Sequence, residues 1–227
     1  MEKKIMETHD TLATLFMYFI AYLIFSNVIM YFAILIIPSV EMLYLMQFYL
    51  DLFVLIFIFQ LCKALFKDVK YSCELSVFFK IPKYYAGIIL TNILISVPIM
   101  IVSSGQVSNN QQAVEMMISS NIMYSCFSIT IFAPIVEELV FRGVIYKNLR
   151  MYFGVVSSII VSSTCFALMH FMVSLITGDI NDMLFLPLYL VPSVYLCIFY
   201  EKSNNIFAPI YLHAFNNLIG IAMALSF

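Results

Sequence analysis

The chain has 227 residues, 63% of them hydrophobic and 11% charged, with a net charge of −2 and a mean hydropathy of +1.01. A soluble domain carries about 25% charged residues, so this composition places the chain in a bilayer and excludes a water-facing globular domain. The small net charge and the lack of a basic cluster give no sign of a nucleic-acid partner.

Taken in chain order, Lys3 and Lys4 precede an apolar run from Thr11 to Ile37. That run is too long for the apolar region of a cleavable signal and reads as an anchoring span. A spanning helix needs about 20 predominantly apolar residues, and the stretches 11–37, 42–62, 84–103, 119–141, 155–176, 183–200 and 205–226 qualify. The expected fold is an all-α polytopic membrane helix bundle of about seven transmembrane helices, multi-pass in the cell membrane. Cytoplasmic loops hold an excess of lysine and arginine. All 11 basic residues fall on one side of this arrangement, and none lies in the 38–41, 104–118 or 177–182 loops. The N-terminus is therefore expected in the cytoplasm and the C-terminus outside. The connection from Lys63 to Lys83 mixes lysines with Leu65, Phe66, Val69, Leu75, Phe78 and Phe79. It reads either as an interfacial amphipathic helix or as a loop with buried hydrophobes. Asp51, inside the second span, suits a hydrogen-bonded structural role facing the bundle interior. Cys62, Cys73, Cys126, Cys165 and Cys197 are odd in number, lack metal-ligand spacing and read as apolar fillers.

Three polar marks interrupt the later spans: Glu137-Glu138-x-x-x-Arg142, His170, and His213-x-x-x-Asn217. Ionisable groups in hydrocarbon cost about 2.5–3.5 kcal/mol each even on the milder scales, so they are rarely idle. Glu138 and Arg142, four apart, share a helix face and can pair. Glu137 is rotated about 100° from Glu138 and is left without a local cation, which nominates it as the proton-handling carboxylate. Pro134 lies one turn earlier, removes a backbone donor and can kink the helix. Positions 137 and 170 are almost equally far from the turn at Gly154, so an antiparallel hairpin brings them level. His213 stands about 8 residues, ~12 Å of rise, from the turn at 203–205, which allows a common depth inside the inner leaflet. Each mark also has an unreactive reading. The acidic run could be a helix end snorkelling to the surface, His170 a satisfied interior histidine, and His213 with Asn217 interhelical glue.

Together the marks resemble the CPBP family, the CAAX-protease and bacteriocin-processing intramembrane proteases also called Abi proteins. The family pattern of Glu-Glu-x-x-x-Arg, Phe-x-x-x-His and His-x-x-x-Asn is matched in order by Glu137 to Arg142, Phe166 to His170 and His213 to Asn217. The resemblance covers roughly residues 120 to 220. It implies a variable N-terminal membrane region at 1–118, three spans plus the cytoplasmic interfacial segment, followed by a catalytic core of four spans at 119–227. It further implies a glutamate-dependent endopeptidase acting on a membrane-embedded peptide or protein. By matched position Glu137 would activate water, His170 would hold that water or orient the carboxylate, and His213 and Asn217 would donate to the oxyanion. Glu138 and Arg142 would brace the site, with Phe166 packed behind His170. The family is widely labelled metalloprotease. A zinc ion would be held by Glu137, His170 and His213, but the chain lacks a His-Glu-x-x-His motif, and no cofactor is expected.

Two other classes compete. One is a non-catalytic membrane partner or bacteriocin-immunity protein that acts by binding. The other is a proton-coupled transporter using Asp51, Glu137 and Glu138, disfavoured because no internal repeat is seen.

Overall fold

The computed structural model describes residues 7–63 and 75–226, and every regular element among them is helical. The helices are α1 (Thr8–Ile36), α2 (Val40–Leu61), α3 (Ile81–Val102) and α4 (Asn109–Ser120), then α5 (residues 122–152) and α6 (Val155–Met169). They continue as α7 (Met172–Thr177), α8 (Leu186–Ser203) and α9 (Phe207–Ala224). Lys3, Lys4, Lys67, Lys70 and Cys73, and most of the expected interfacial segment between Lys63 and Lys83, lie outside the described residues.

The protein is a helical membrane bundle. Among the described residues five helices are long and apolar enough to cross a bilayer: α1, α2 and α9, with α3 and α8 each extended at their N-terminal ends. Ile36, Leu94 and Ile101 on these helices are 80%, 76% and 72% exposed. Faces this apolar are not tolerated by a monomer in water and belong against hydrocarbon. The expected spans at 119–141 and 155–176 take different forms. The first is part of α5, which runs on through Lys147 and Arg150. The second is interrupted at His170 and Phe171, leaving α6 with 15 residues. That is ~22 Å of helix, short of the ~30 Å hydrocarbon core.

Local chemistry explains several helix boundaries. Ser39 and Ser108 accept from the backbone N–H groups of Met42 and Gln111, and Asn121 accepts from that of Tyr124. These side chains satisfy orphan donors at the starts of α2, α4 and α5. Gly178 (φ 76°) ends α7 in the left-handed conformation that glycine adopts without strain. α6 turns Ser158, Ser162, Ser163 and Ala167 inward, all at 0% exposure, and such small residues allow close helix approach in membranes. At Gly87 of α3, an added Cβ would stand 2.6 Å from the Tyr195 ring of α8.

The two ends of the bundle differ. At one end the Tyr146 hydroxyl donates to Glu201 at 2.7 Å and Arg150 pairs with Glu201 at 3.0 Å, close to Lys147 and Lys202. At the other end Asn109 donates through its backbone to Asp182 (2.9 Å). Its amide also donates to Asp179 (3.0 Å) and Ser174 (3.1 Å), while Ser108 meets Tyr189 at 2.7 Å. Between the ends, Tyr18 of α1, Phe141 of α5 and Phe166 of α6 meet edge to face at 5.9 and 5.2 Å. This aromatic core ties the N-terminal helix to the helices carrying the polar marks.

Candidate active site

Glu137 and Glu138 lie at the centre of α5, bracketed by two stretches of π-helix, Ser128–Phe132 and Leu139–Tyr146. Pro134 has no N–H to return to Thr130, and the first wide stretch lies just ahead of it. Each stretch has a carbonyl held from a neighbouring helix. Asn217 of α9 donates its amide to the Ile129 carbonyl at 2.9 Å, and Ser162 of α6 donates to the Phe141 carbonyl at 2.9 Å. π-Segments inside α-helices occur often at functional sites.

The two carboxylates have separate surroundings. Glu138 and Arg142 are both 0% exposed and pair at 2.9 Å, on the shared face expected from their spacing. Arg142 also donates to the carbonyl and hydroxyl of Ser193 on α8, at 2.9 and 2.7 Å, and lies 4.6 Å over the Phe166 ring. The same Glu138 oxygen accepts from Nδ1 of His213 at 2.8 Å. Charges removed from water survive only when paired and hydrogen-bonded. Side chains from α5, α8 and α9 meet that demand at Glu138 Oε1 and at both terminal nitrogens of Arg142, while Glu138 Oε2 and Arg142 Nε have no hydrogen-bond partner among the described residues. Glu137 instead faces a cavity of about 800 Å³, and its Oε2 lies 4.0 Å from Nε2 of His213. His213 is thus the shared member, with one ring nitrogen on each carboxylate's side.

His170 stands where α6 stops. Its backbone N–H turns to the Ala167 carbonyl (3.1 Å), and its Nδ1 takes the Phe166 carbonyl at 2.9 Å in the place of the usual helical donor. A carbonyl only accepts, so Nδ1 carries hydrogen, and in the neutral ring Nε2 keeps its lone pair. The ring packs between Phe166 (4.8 Å) and Tyr189 (4.9 Å). Glu137, Phe166, His170, His213 and Asn217 all line the one cavity. The structure brings the three sequence marks together, and Glu138 and Arg142 stand behind them.

Four contributors escaped the sequence reading. Ser193 gives Arg142 two acceptors, Tyr189 covers His170, and Tyr18 and Asn92 join the cavity wall from α1 and α3. Tyr18 also donates to Met169 beside His170. Only the Tyr18–Tyr22 pair, one helical turn apart, carried a local signal. Asp51 does not line the cavity; it accepts from Gln47 and Tyr124, each at 2.8 Å.

Among the described residues no three His, Cys, Asp or Glu side chains are grouped to hold a metal ion. Glu137, His170 and His213 as placed here do not fit a zinc triad, and no step below passes through a metal.

Residues 119–219 match the family described as type II CAAX prenyl endopeptidase Rce1-like, a match that supports a CPBP/CAAX protease family for this region. No curated protein and no solved structure matches the chain.

Proposed function

We propose that the protein hydrolyses a peptide bond of a membrane-embedded peptide or protein, with Glu137 as the general base. The observation that carries this reading is the approach of Glu137 Oε2 to His213 Nε2, 4.0 Å apart at the cavity wall. One oxygen atom at a hydrogen-bond distance of ~2.8 Å from both groups fits that gap when the angle at the oxygen is about 90°. A water there is deprotonated by Glu137 as it attacks the carbonyl carbon, with the Nε2 lone pair of His170 helping to orient it. The oxyanion is met by Nε2–H of a doubly protonated His213, for which Glu138 on Nδ1 supplies the counter-charge. The Asn217 amide has one N–H on Ile129 and a second to offer the same oxyanion. Glu137 then passes its proton to the departing nitrogen, the C–N bond breaks, and a carboxylic acid and an amine leave, the acid giving up its proton to water or to the amine on release. Preorganised donors of this kind supply ~2.7–4 kcal/mol each when tested by removal. This scheme needs no cofactor. The bilayer supplies the setting, and the basic end of the bundle is assigned to the cytoplasm.

The decisive experiment is mass spectrometry of membrane peptides from cells carrying wild-type protein or Glu137→Gln. A fragment present only with wild type gives the substrate and the cut position together. Identical peptide profiles, with a biological effect kept by the Glu137, His170 and His213 variants, would instead favour the non-catalytic binding partner. Chelation should leave turnover unchanged; stoichiometric zinc bound through His170 and His213 would overturn the metal-free scheme.

A further inference from the structure

The cavity has a direction. Its wall includes α3 from Ile88 to Met100, residues of the 105–118 segment, the first half of α8, and α9 from Leu212 to Ala224. From α5 it takes only residues between Ser128 and Glu137. It therefore runs from Glu137 to the end of the bundle closed by α4 and the Asn109–Asp182 contacts. That end lies away from Lys147, Arg150 and Lys202. By the lysine and arginine rule the basic end is cytoplasmic, so the cavity leads to the opposite face.

The lining toward that face has a definite chemistry. It offers the amides of Asn92, Gln106, Asn110 and Gln111 and the carboxylate of Glu115, and among the described residues no lysine or arginine lines the cavity. Gln111 donates to Glu115 at 2.9 Å, which holds that carboxylate along α4. Asn92 Oδ1 is buried and has no hydrogen-bond partner among the described residues. A buried acceptor left unpaired costs about as much as a lost hydrogen bond, and a backbone N–H from an incoming chain would satisfy it. A free C-terminal carboxylate, by contrast, would meet Glu115 and find no cation.

We propose that the cavity receives its substrate from the non-cytoplasmic face. The substrate is an internal peptide segment that donates a backbone N–H to Asn92 and sets a basic side chain against Glu115. This deepens the peptidase reading and rests on it for the cleavage step. A negatively lined cleft with low-dielectric walls concentrates cations at its mouth, so the charge of the segment should govern capture.

Two measurements separate the parts. In full-length protein with the natural cysteines replaced, Gln106→Cys should react with a membrane-impermeant maleimide in intact cells, and Lys147→Cys only after permeabilisation. The reverse pattern overturns the proposal whatever the enzyme does. In proteoliposomes, single-span reporter peptides would carry lysine, serine or glutamate in the juxtamembrane segment on either side. The lysine reporter presented from the non-cytoplasmic side should be cut fastest. Glu115→Lys should lower its kcat/KM about tenfold relative to that of the serine reporter, the effect of turning a close attraction into a repulsion. Asn92→Leu should raise KM and spare kcat. Cleavage confined to the cytoplasmic segment, or indifference to Glu115→Lys, would overturn the proposal. Outward labelling of Gln106→Cys with every reporter cut equally by wild type and Glu137→Gln would sink the peptidase reading, and the substrate assignment with it.

Discussion

Glu137 and Glu138 are neighbours in sequence and opposites in surroundings. The Glu138 side is crowded: one carboxylate oxygen serves both Arg142 and His213, and Arg142 reaches on to Ser193 and Phe166. The Glu137 side is sparse, with His213 Nε2 at 4.0 Å and open volume beyond. One acidic dipeptide therefore supplies both a buried structural clamp and the cavity-facing carboxylate proposed as the base, because a helix turns adjacent residues about 100° apart. The clamp fixes His213 from behind and leaves its other nitrogen facing the cavity.

The largest effect expected from breaking this contrast is at Glu137. Glu137→Gln removes the base and keeps the shape, so turnover should fall by about 10²–10⁴-fold with thermal stability in detergent unchanged. Arg142→Met should do the reverse. It leaves a buried carboxylate without its cation, a loss of about 3–5 kcal/mol, read as a lower Tm or failure to accumulate. The double variant Glu138→Gln with Arg142→Met should recover part of that loss. His213→Ala touches both sides and should lose turnover by about 10²–10³-fold together with some stability. A purely catalytic or purely structural phenotype there would dissolve the idea of a shared member.

How much of this was legible follows the range of each interaction. The Glu138–Arg142 pair was legible because both ends lie one helical turn apart. The meeting of Glu137 and His170 on one cavity was legible because both are counted from the same turn at Gly154. The His213–Glu138 and Arg142–Ser193 bonds were not, since they join helices 75 and 51 residues apart in sequence whose rotation no local pattern sets. The stop of α6 at His170 was hidden too: an apolar run looks continuous, and only the side chain's capture of the Phe166 carbonyl shows why the helix ends there. The π-winding of α5 had one hint, Pro134. Asn217 was expected to face the oxyanion, and its first commitment proves to be the Ile129 carbonyl in that wide stretch.

Asp51 supplies the smallest expected effect and the sharpest limit on where the chemistry lies. It is fully buried in α2, away from the cavity, and accepts from Gln47 and Tyr124. In Asp51→Asn the carboxamide oxygen can still accept from Gln47, while its NH₂ donates to the Tyr124 hydroxyl in a reversed bond. The change should cost no more than the ~0.5–1.5 kcal/mol of one ordinary hydrogen bond and leave kcat/KM for peptide cleavage unaltered. Asp51→Leu strands both partners in a buried site and should cost about 1–3 kcal/mol, again without changing the cut position. A folded Asp51→Asn protein that has lost turnover would mean that a proton path reaches beyond the cavity. The transporter-like use of Asp51 with Glu137 would then displace the peptidase scheme, because neither direct hydrogen-bond partner of Asp51, Gln47 or Tyr124, lines the cavity.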